Sequence, residues 1–426
     1  MSLKPSLPIE LLDQIFYFLR DDPPALRASA DVNQSFADIV EKHMYHHVTL
    51  GRPEMTAAQL SKILVNSPHI ITYIKSLRIS LSRTRFYSFL LGPPPQGGEF
   101  PPILPQLLHL TALSLYVDKK IGFPWSHIHS DFQSSFLTCI RSPTLVDVSI
   151  KWVTAFPLSL LEESPQLKSL SLIGPFSSSG LSVKQSVVTF PNLQSLTIET
   201  SPELVEWLDR TNITQLRSLV IWMCPGASAD SIAGILSNSK YLTYLELHSS
   251  YRAKGTHCLI PIFFRYYLTG RFVNLDQVSP SESPLDLSVI PHLQHLYFGV
   301  EFFSLDDFGI SSDGEEVFYN HILSTPNPWI SRSLQTLFKL PTILLQSIII
   351  DINLCVPKIH FHEIPWEPLV DTLQKIDSLK RVELQLKLDG SKALDYGSWA
   401  VETLKSEIHL ARLIDTGLLS ITMSSS

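Results

Sequence analysis

The stretch PQLKSLSLIG, Pro165 to Gly174, decides how the chain is read. It returns as PNLQSLTIET from Pro191, ITQLRSLVIW from Ile213, KYLTYLELHS from Lys240 and PHLQHLYFGV from Pro291. Each copy holds an apolar residue, two variable residues, a second apolar residue, one variable residue and a third apolar residue. The triplets are Leu167/Leu170/Leu172, Leu193/Leu196/Ile198, Leu216/Leu219/Ile221, Leu242/Leu245/Leu247 and Leu293/Leu296/Phe298. The alternation at the end of each copy predicts a short strand after a turn, with its second and third anchors on one face. Weaker copies lie on both sides: Ile74/Leu77/Ile79, Leu110/Leu113/Leu115 and Leu145/Val148/Ile150 before, Leu345/Ile348/Ile350 and Leu379/Val382/Leu384 after. First anchors are 36, 35, 22, 26, 23, 26, 51, 52 and 34 residues apart.

The middle spacings fall in the range of leucine-rich repeats, which the lettering also resembles. One unit cannot bury its own apolar face, whereas stacked units share a continuous core. The expectation is an α/β fold: an irregular leucine-rich-repeat solenoid, with parallel strands on its concave face and helices and loops on its convex face. The Asn or Cys that closes the strand in regular repeats is mostly missing; Cys224 and Asn353 stand near such places but in no regular ladder. The two long gaps hold either insertions or a copy with no visible anchors. Variable positions between anchors line the exposed strand face. Lys168, Ser169, Ser171, Gln194, Ser195, Thr197, Arg217, Ser218 and Val220 are therefore the expected contacts for a protein target.

The first fifty residues have a different texture. Leu7-Pro8-Ile9-Glu10 opens a helix, since proline is tolerated where N–H groups lack intrahelical partners and Glu10 meets the positive end of the dipole. Leu11, Leu12, Ile15, Phe16, Phe18 and Leu19 follow at helical spacing. Asp21-Asp22-Pro23-Pro24 predicts a stop, with a second helix from about Ala25 carrying Leu26, Ala30 and Val32. A third segment runs from about Asn33 through Phe36, Ile39 and Val40, and Tyr45, Val48 and Leu50 read as a connecting strand. So small a bundle cannot bury apolar residues on several faces. The surplus predicts either a surface for a partner or a cap on the end of the repeats.

LPIELLDQIFYFL, then LRASADVNQSFADIV and MYHHVTL, resembles an F-box, a helical module that binds the Skp-type adaptor of a cullin-RING ubiquitin ligase. With the repeats behind it, the chain resembles F-box proteins with degenerate leucine-rich repeats, such as those of mushroom-forming fungi. The family's leading Leu-Pro and Glu match Leu7, Pro8 and Glu10. Its first-helix positions match Leu11, Ile15, Phe18 and Leu19, its second-helix Leu matches Leu26, and its later Val and aromatic match Val32 and Phe36. Phe36 stands where the family often has Trp. The resemblance implies an adaptor-binding module over 1–50 and a target-binding repeat region over 51–426. It implies a substrate receptor that reaches cullin through the adaptor and contributes no catalytic residue. A repeat scaffold without a ligase role is the other reading, and an enzyme with a hidden site a remote third.

Composition sets further bounds. The 426 residues are 44% hydrophobic, with a net charge of -7 and a pI near 6.1. A basic surface able to neutralise phosphates is absent, so no nucleic-acid partner is expected. Four dispersed cysteines, Cys139, Cys224, Cys258 and Cys355, form no CxxC pair, which predicts reduced thiols in the cytoplasm or nucleus. Glu10 and Asp13 interrupt the first apolar stretch, making it a poor signal peptide, and no run is long enough to predict a membrane span.

Between the anchors, helices are expected over 56–65, 132–140, 158–163, 201–209, 229–236 and about 399–413, the last with Val401, Leu404, Ile408 and Leu413 inward. A final strand is expected over 418–421. Residues 91–105, 174–180 and 279–284 read as loops, and 301–316 is an acidic stretch read as a solvated loop. The pairs His127/His129 and His360/His362 lack a third ligand at fixed spacing, so no metal site is expected. HExxH, GxSxG and phosphate-binding glycine patterns are absent, and no cofactor is predicted.

Overall fold

The computed structural model describes residues 7–20, 22–51, 55–81, 103–117, 123–164, 166–174, 188–223, 229–249, 284–302, 326–354, 364, 366–388 and 393–425. Cys224, Cys258, Cys355, the His360/His362 pair and nearly all of 301–316 lie outside them. So do most of the loop over 91–105 and the aromatic stretch at 263–272. The chain divides into two compact units, 1–185 and 186–426.

The first unit opens with three helices, α1 (Ile9–Phe18), α2 (Pro23–Ala30) and α3 (Gln34–Met44). Helix α1 ends at Phe18, ahead of the expected stop, and α2 starts at Pro23, two residues before the expected Ala25. Asp22 accepts from the Ala25 N–H at 3.1 Å as its N-cap, and proline, with no N–H to lose, fits the first turn. Asn33 caps α3 through the Phe36 N–H. Val32 falls in the turn between the two helices and is exposed.

Five strands follow: β1 (His47–Leu50), β2 (Ser76–Leu81), β3 (Ala112–Val117), β5 (Asp147–Lys151) and β7 (Ser169–Ile173). Each is parallel to the next. The connecting strand is thus the first rung of the sheet. The two-residue strands β4 (Phe123–Pro124) and β6 (Val153–Thr154) pair separately. Helix α4 (Ala57–Asn66) starts at a reciprocal capping box between Thr56 and Gln59. Helix α5 (Ser130–Ile140) buries Phe132, Phe136, Cys139 and Ile140, and Trp125 and Phe156 complete its aromatic layer. The expected helix at Leu158–Glu163 is a 3₁₀ segment. After β5 the chain turns through Trp152 and Ala155 at φ 63° and 54°. Gly174 lies against it, where a Cβ would fall 2.9 Å from the Trp152 Cα.

The second unit continues the same grammar. Its main sheet orders β9 (Ser195–Glu199), β11 (Ser218–Met223), β12 (Tyr244–Ser249), β13 (His295–Phe302), β14 (Ser347–Leu354), β15 (Arg381–Leu388) and β16 (Leu419–Ser425), all parallel. Strands β8 (Val188–Thr189) and β10 (Thr211–Asn212) pair apart from it. Strand β12 pairs directly with β13, and β13 with β14, so the two long gaps hold insertions and no hidden rung. Between strands lie α6 (Pro202–Asp209), α7 (Ala229–Asn238), α8 (Pro326–Gln335) and α9 (Glu367–Gln374). The expected C-terminal helix is two, α10 (Ala393–Ser406) and α11 (Ile408–Asp415). Glu407 breaks the run by capping the second through the His409 and Leu410 N–H groups. The break changes the helical phase: Ala400, Leu404, Leu410 and Leu413 are buried, while Ile408 is exposed.

Two backbone devices recur and explain why degenerate lettering still stacks. The N–H of the first anchor closes a turn onto the carbonyl three residues back at Leu110, Leu145, Leu167, Leu193, Leu216, Leu242, Leu293 and Leu379. The carbonyl just before a strand accepts two N–H groups from the next repeat, as at Lys75, Thr111, Val146, Gln194, Arg217, Thr243, Gln294 and Gln346. Both use only main-chain atoms, so they tolerate any side chain outside the anchors. The anchors themselves are buried in every copy. Side-chain hydroxyls dock the chain around the insertions: Ser333 Oγ accepts from the Leu285 N–H at 3.1 Å and Thr336 Oγ1 from the Leu287 N–H at 2.8 Å.

Candidate interaction surfaces

Helix α1 is apolar on two faces. Leu12, Phe16 and Leu19 repeat at one helical spacing and turn inward, joining Leu26, Ile39 and Val40 with Ala30, Phe36 and Met44. Phe16 meets Phe36 edge to face at 5.5 Å. Leu11, Ile15 and Phe18 repeat at the same spacing, about 100° further round the axis, and are exposed. Phe18 is 82% exposed, Ile9 is exposed at the helix start, and Leu7 and Pro8 extend the stripe beyond it. Of the ten residues predicted to meet an adaptor, Leu7, Pro8, Glu10, Leu11, Ile15, Phe18 and Val32 are exposed. Leu19, Leu26 and Phe36 belong to the bundle's own core, so their part is to hold the stripe in place. Ile9 and Tyr17, outside those ten, are exposed as well.

Asp13 pins α1 to α3. Its carboxylate accepts from Lys42 Nζ at 3.0 Å and meets His43 Nε2 at 2.9 Å. Burial opposes its charge, but these partners outweigh that and hold its pKa below the ordinary value. Burial and neighbouring cationic groups lower the pKa of His46, whose carbonyl receives the Lys75 and Ser76 N–H groups as the first link of the repeat ladder.

The outward face of the strands carries the second surface. Lys168, Ser169 and Ser171 belong to the first unit, where Ser169 stands in register with Asp147 and Ser171 with Ser149. In the second unit Ser195 pairs in register with Ser218 and Thr197 with Val220. Gln194 and Arg217, expected as target contacts, also supply the carbonyls that link successive repeats.

Further along the same outward face the residues become larger and polar, a region the sequence reading left out. Glu246 is bonded by Tyr244 Oη and His248 Nε2. Burial opposes the Glu246 charge, yet these hydrogen bonds and the nearby Lys387 keep its pKa below the ordinary value. Burial and the bonds to Glu246 and Asp351 raise the phenol pKa values of Tyr244 and Tyr297. Trp222 stacks on His248 at 3.9 Å with 6° between the planes, and His248 tilts against Tyr297 at 5.1 Å. Gly299 makes room for that ring: a Cβ there would lie 2.3 Å from His248 Nδ1. Asp351 binds Tyr297 Oη and Lys387 Nζ, and Glu383 binds Arg381, Gln385 and, at 3.2 Å, Thr422 Oγ1. The only sequence signal for this region was alternation, which marks these positions as outward without saying that they meet.

Among the described residues no group of three or more His, Cys, Asp or Glu side chains is placed to hold a metal ion. His129 caps α5 by accepting the Asp131 N–H at 3.3 Å, and His127 rests edge-on against Phe123. No helix among the described residues is long and apolar enough to cross a membrane.

No protein-family model matches the chain, and no curated protein matches it. Solved structures similar to it include the leucine-rich-repeat-containing protein LegL7 from Legionella pneumophila, with a TM-score of 0.34 and 14% identity over 80% of this chain and 83% of that one. Another is a protein from Bacteroides fragilis, with a TM-score of 0.31 and 11% identity over 86% of this chain and 69% of that one. Both scores are too low to carry fold or function. The leucine-rich-repeat-type fold rests on the parallel register, the buried anchors and the recurring turns described above.

Proposed function

We propose that the chain is a non-catalytic receptor of a cullin-RING ubiquitin ligase. Helices α1–α3 bind a Skp-type adaptor, and the outward strand face holds a protein target. The observation that carries this is the exposed stripe Leu7, Pro8, Leu11, Ile15 and Phe18 beside a bundle core that is already filled without it. A folded monomer gains nothing from such a stripe, whereas a partner that covers it gains apolar burial. Its contribution to ubiquitin transfer is proximity: holding adaptor and target on one chain makes an intermolecular step effectively intramolecular.

The test is co-purification of the full chain with a Skp-type adaptor, wild type against the triple variant Leu11→Glu, Ile15→Glu, Phe18→Glu. All three positions are exposed, so circular dichroism should be unchanged while retention is lost. Absence of adaptor with the wild type, or retention by the variant, ends the ligase reading. A second reading, a protein-interaction scaffold whose helices cap the repeats, draws on the pairing of β1 with β2 directly after α3. It predicts that the adaptor is ignored while the outward strand face still binds protein.

A further inference from the structure

Among the described residues of the second unit, Asp351 is a buried polar group whose bonding is incomplete. Its side chain is only 7% exposed, yet Tyr297 Oη and Lys387 Nζ both donate to Oδ2, and buried Oδ1 has no hydrogen-bond partner. A buried carboxylate oxygen without a donor is costly, and one ammonium, a compact donor, serves one side of the carboxylate here. Lys387 lies one outward row further along the strands than Asp351, and its side chain is 38% exposed, so its ammonium can swing into water. The register places His248, Gly299 and Asp351 side by side on β12, β13 and β14. Since Gly299 has no side chain, the ring of His248 lies over it, stacked on Trp222 and tilted against Tyr297.

We propose that this cluster, once Lys387 swings out, receives an arginine side chain of a protein target. The proposal rests on the reading of the outward strand face as target-binding. A guanidinium presents two parallel N–H donors, which match Oδ1 and Oδ2 together, and its plane stacks on aromatic rings. On entry it satisfies the orphan oxygen, releases Lys387 to solvent and leaves the Tyr297 bond in place. Lysine repeats what Lys387 already does, and neutral citrulline keeps the shape without the charge, so both are disfavoured.

The experiment uses the full chain and immobilised nonapeptide pools, random except for a central arginine, lysine or citrulline. The arginine pool should retain on the order of tenfold more protein than either control, the ratio expected of a charge-assisted bidentate pair. Asp351→Asn should abolish the preference, and Lys387→Gln, which removes the competing internal cation, should increase it. Equal retention on all three pools, or retention on none, overturns the arginine site while sparing the target-binding face. Should Asp351→Asn fail to fold, Lys387→Gln decides alone: an unchanged or reduced arginine preference overturns the proposal.

Discussion

Phe16 and Phe18 stand two residues apart on α1, and truncating each to alanine should have opposite consequences. Phe16 is 3% exposed and packs on Leu12, Leu26, Ile39, Val40 and Phe36. Phe16→Ala removes a buried ring and leaves a cavity, which costs about 3–5 kcal/mol, and the edge-to-face partner Phe36 loses its contact as well. Phe18 has little contact to lose, so Phe18→Ala should change stability by less than about 0.5 kcal/mol. Unfolding of a long repeat chain is poorly described as two-state, so the assay is native-state hydrogen exchange read at α3 amides such as Ile39 and Val40. A loss of about 3 kcal/mol corresponds to roughly a hundredfold lower protection when α3 opens with the bundle. Phe16→Ala should show that drop and Phe18→Ala none, although Phe18→Ala alone should weaken adaptor retention. Equal loss of protection in both variants would refute the assignment of one stripe to the core and the other to a partner.

Three further outcomes are expected. Because its partners lower the pKa of Asp13, the link it makes stabilises α1 against α3 above the ordinary value of 3.8 and is lost as pH falls below it. Asp13→Asn should flatten that acid slope in the exchange of α1 amides, by no more than about 1 kcal/mol because the pair is half exposed. Burial pushes the Cys139 thiol up to about 12, so it should resist alkylation at pH 8 in the native protein and react on denaturation, as read by peptide mass spectrometry. Ala155 holds a left-handed conformation at φ 54°, so Ala155→Gly should stabilise the turn after β5 by about 0.5 kcal/mol once glycine's extra chain entropy is subtracted, read as slower native-state hydrogen exchange of the amides around it.

The anchors were legible because strand alternation and turn spacing are local. Leu170 and Leu172, or Leu219 and Ile221, must share a face wherever the strand lies. The same locality made the two-sided character of α1 readable, although separating Leu19, Leu26 and Phe36 from the exposed stripe needed the packed bundle. Local rules also misled where two signals compete. Pro23 lies past the end of one helix and suits the first turn of the next, so with Asp22 as cap the second helix starts there and not at Ala25. Glu407 restarted a helix that periodicity alone would have continued.

What the amino-acid order determined alone was the repeated unit and the side of each strand that faces inward. What only the tertiary structure decided was which outward residues become neighbours. Tyr297 and Asp351 are 54 positions apart, and Asp351 and Lys387 are 36, with an insertion in the first interval. The physical reason is that register is set by buried anchors stacking across strands, while the insertions leave no periodic mark of their length. The outward side chains are carried into contact by a core they do not help to build.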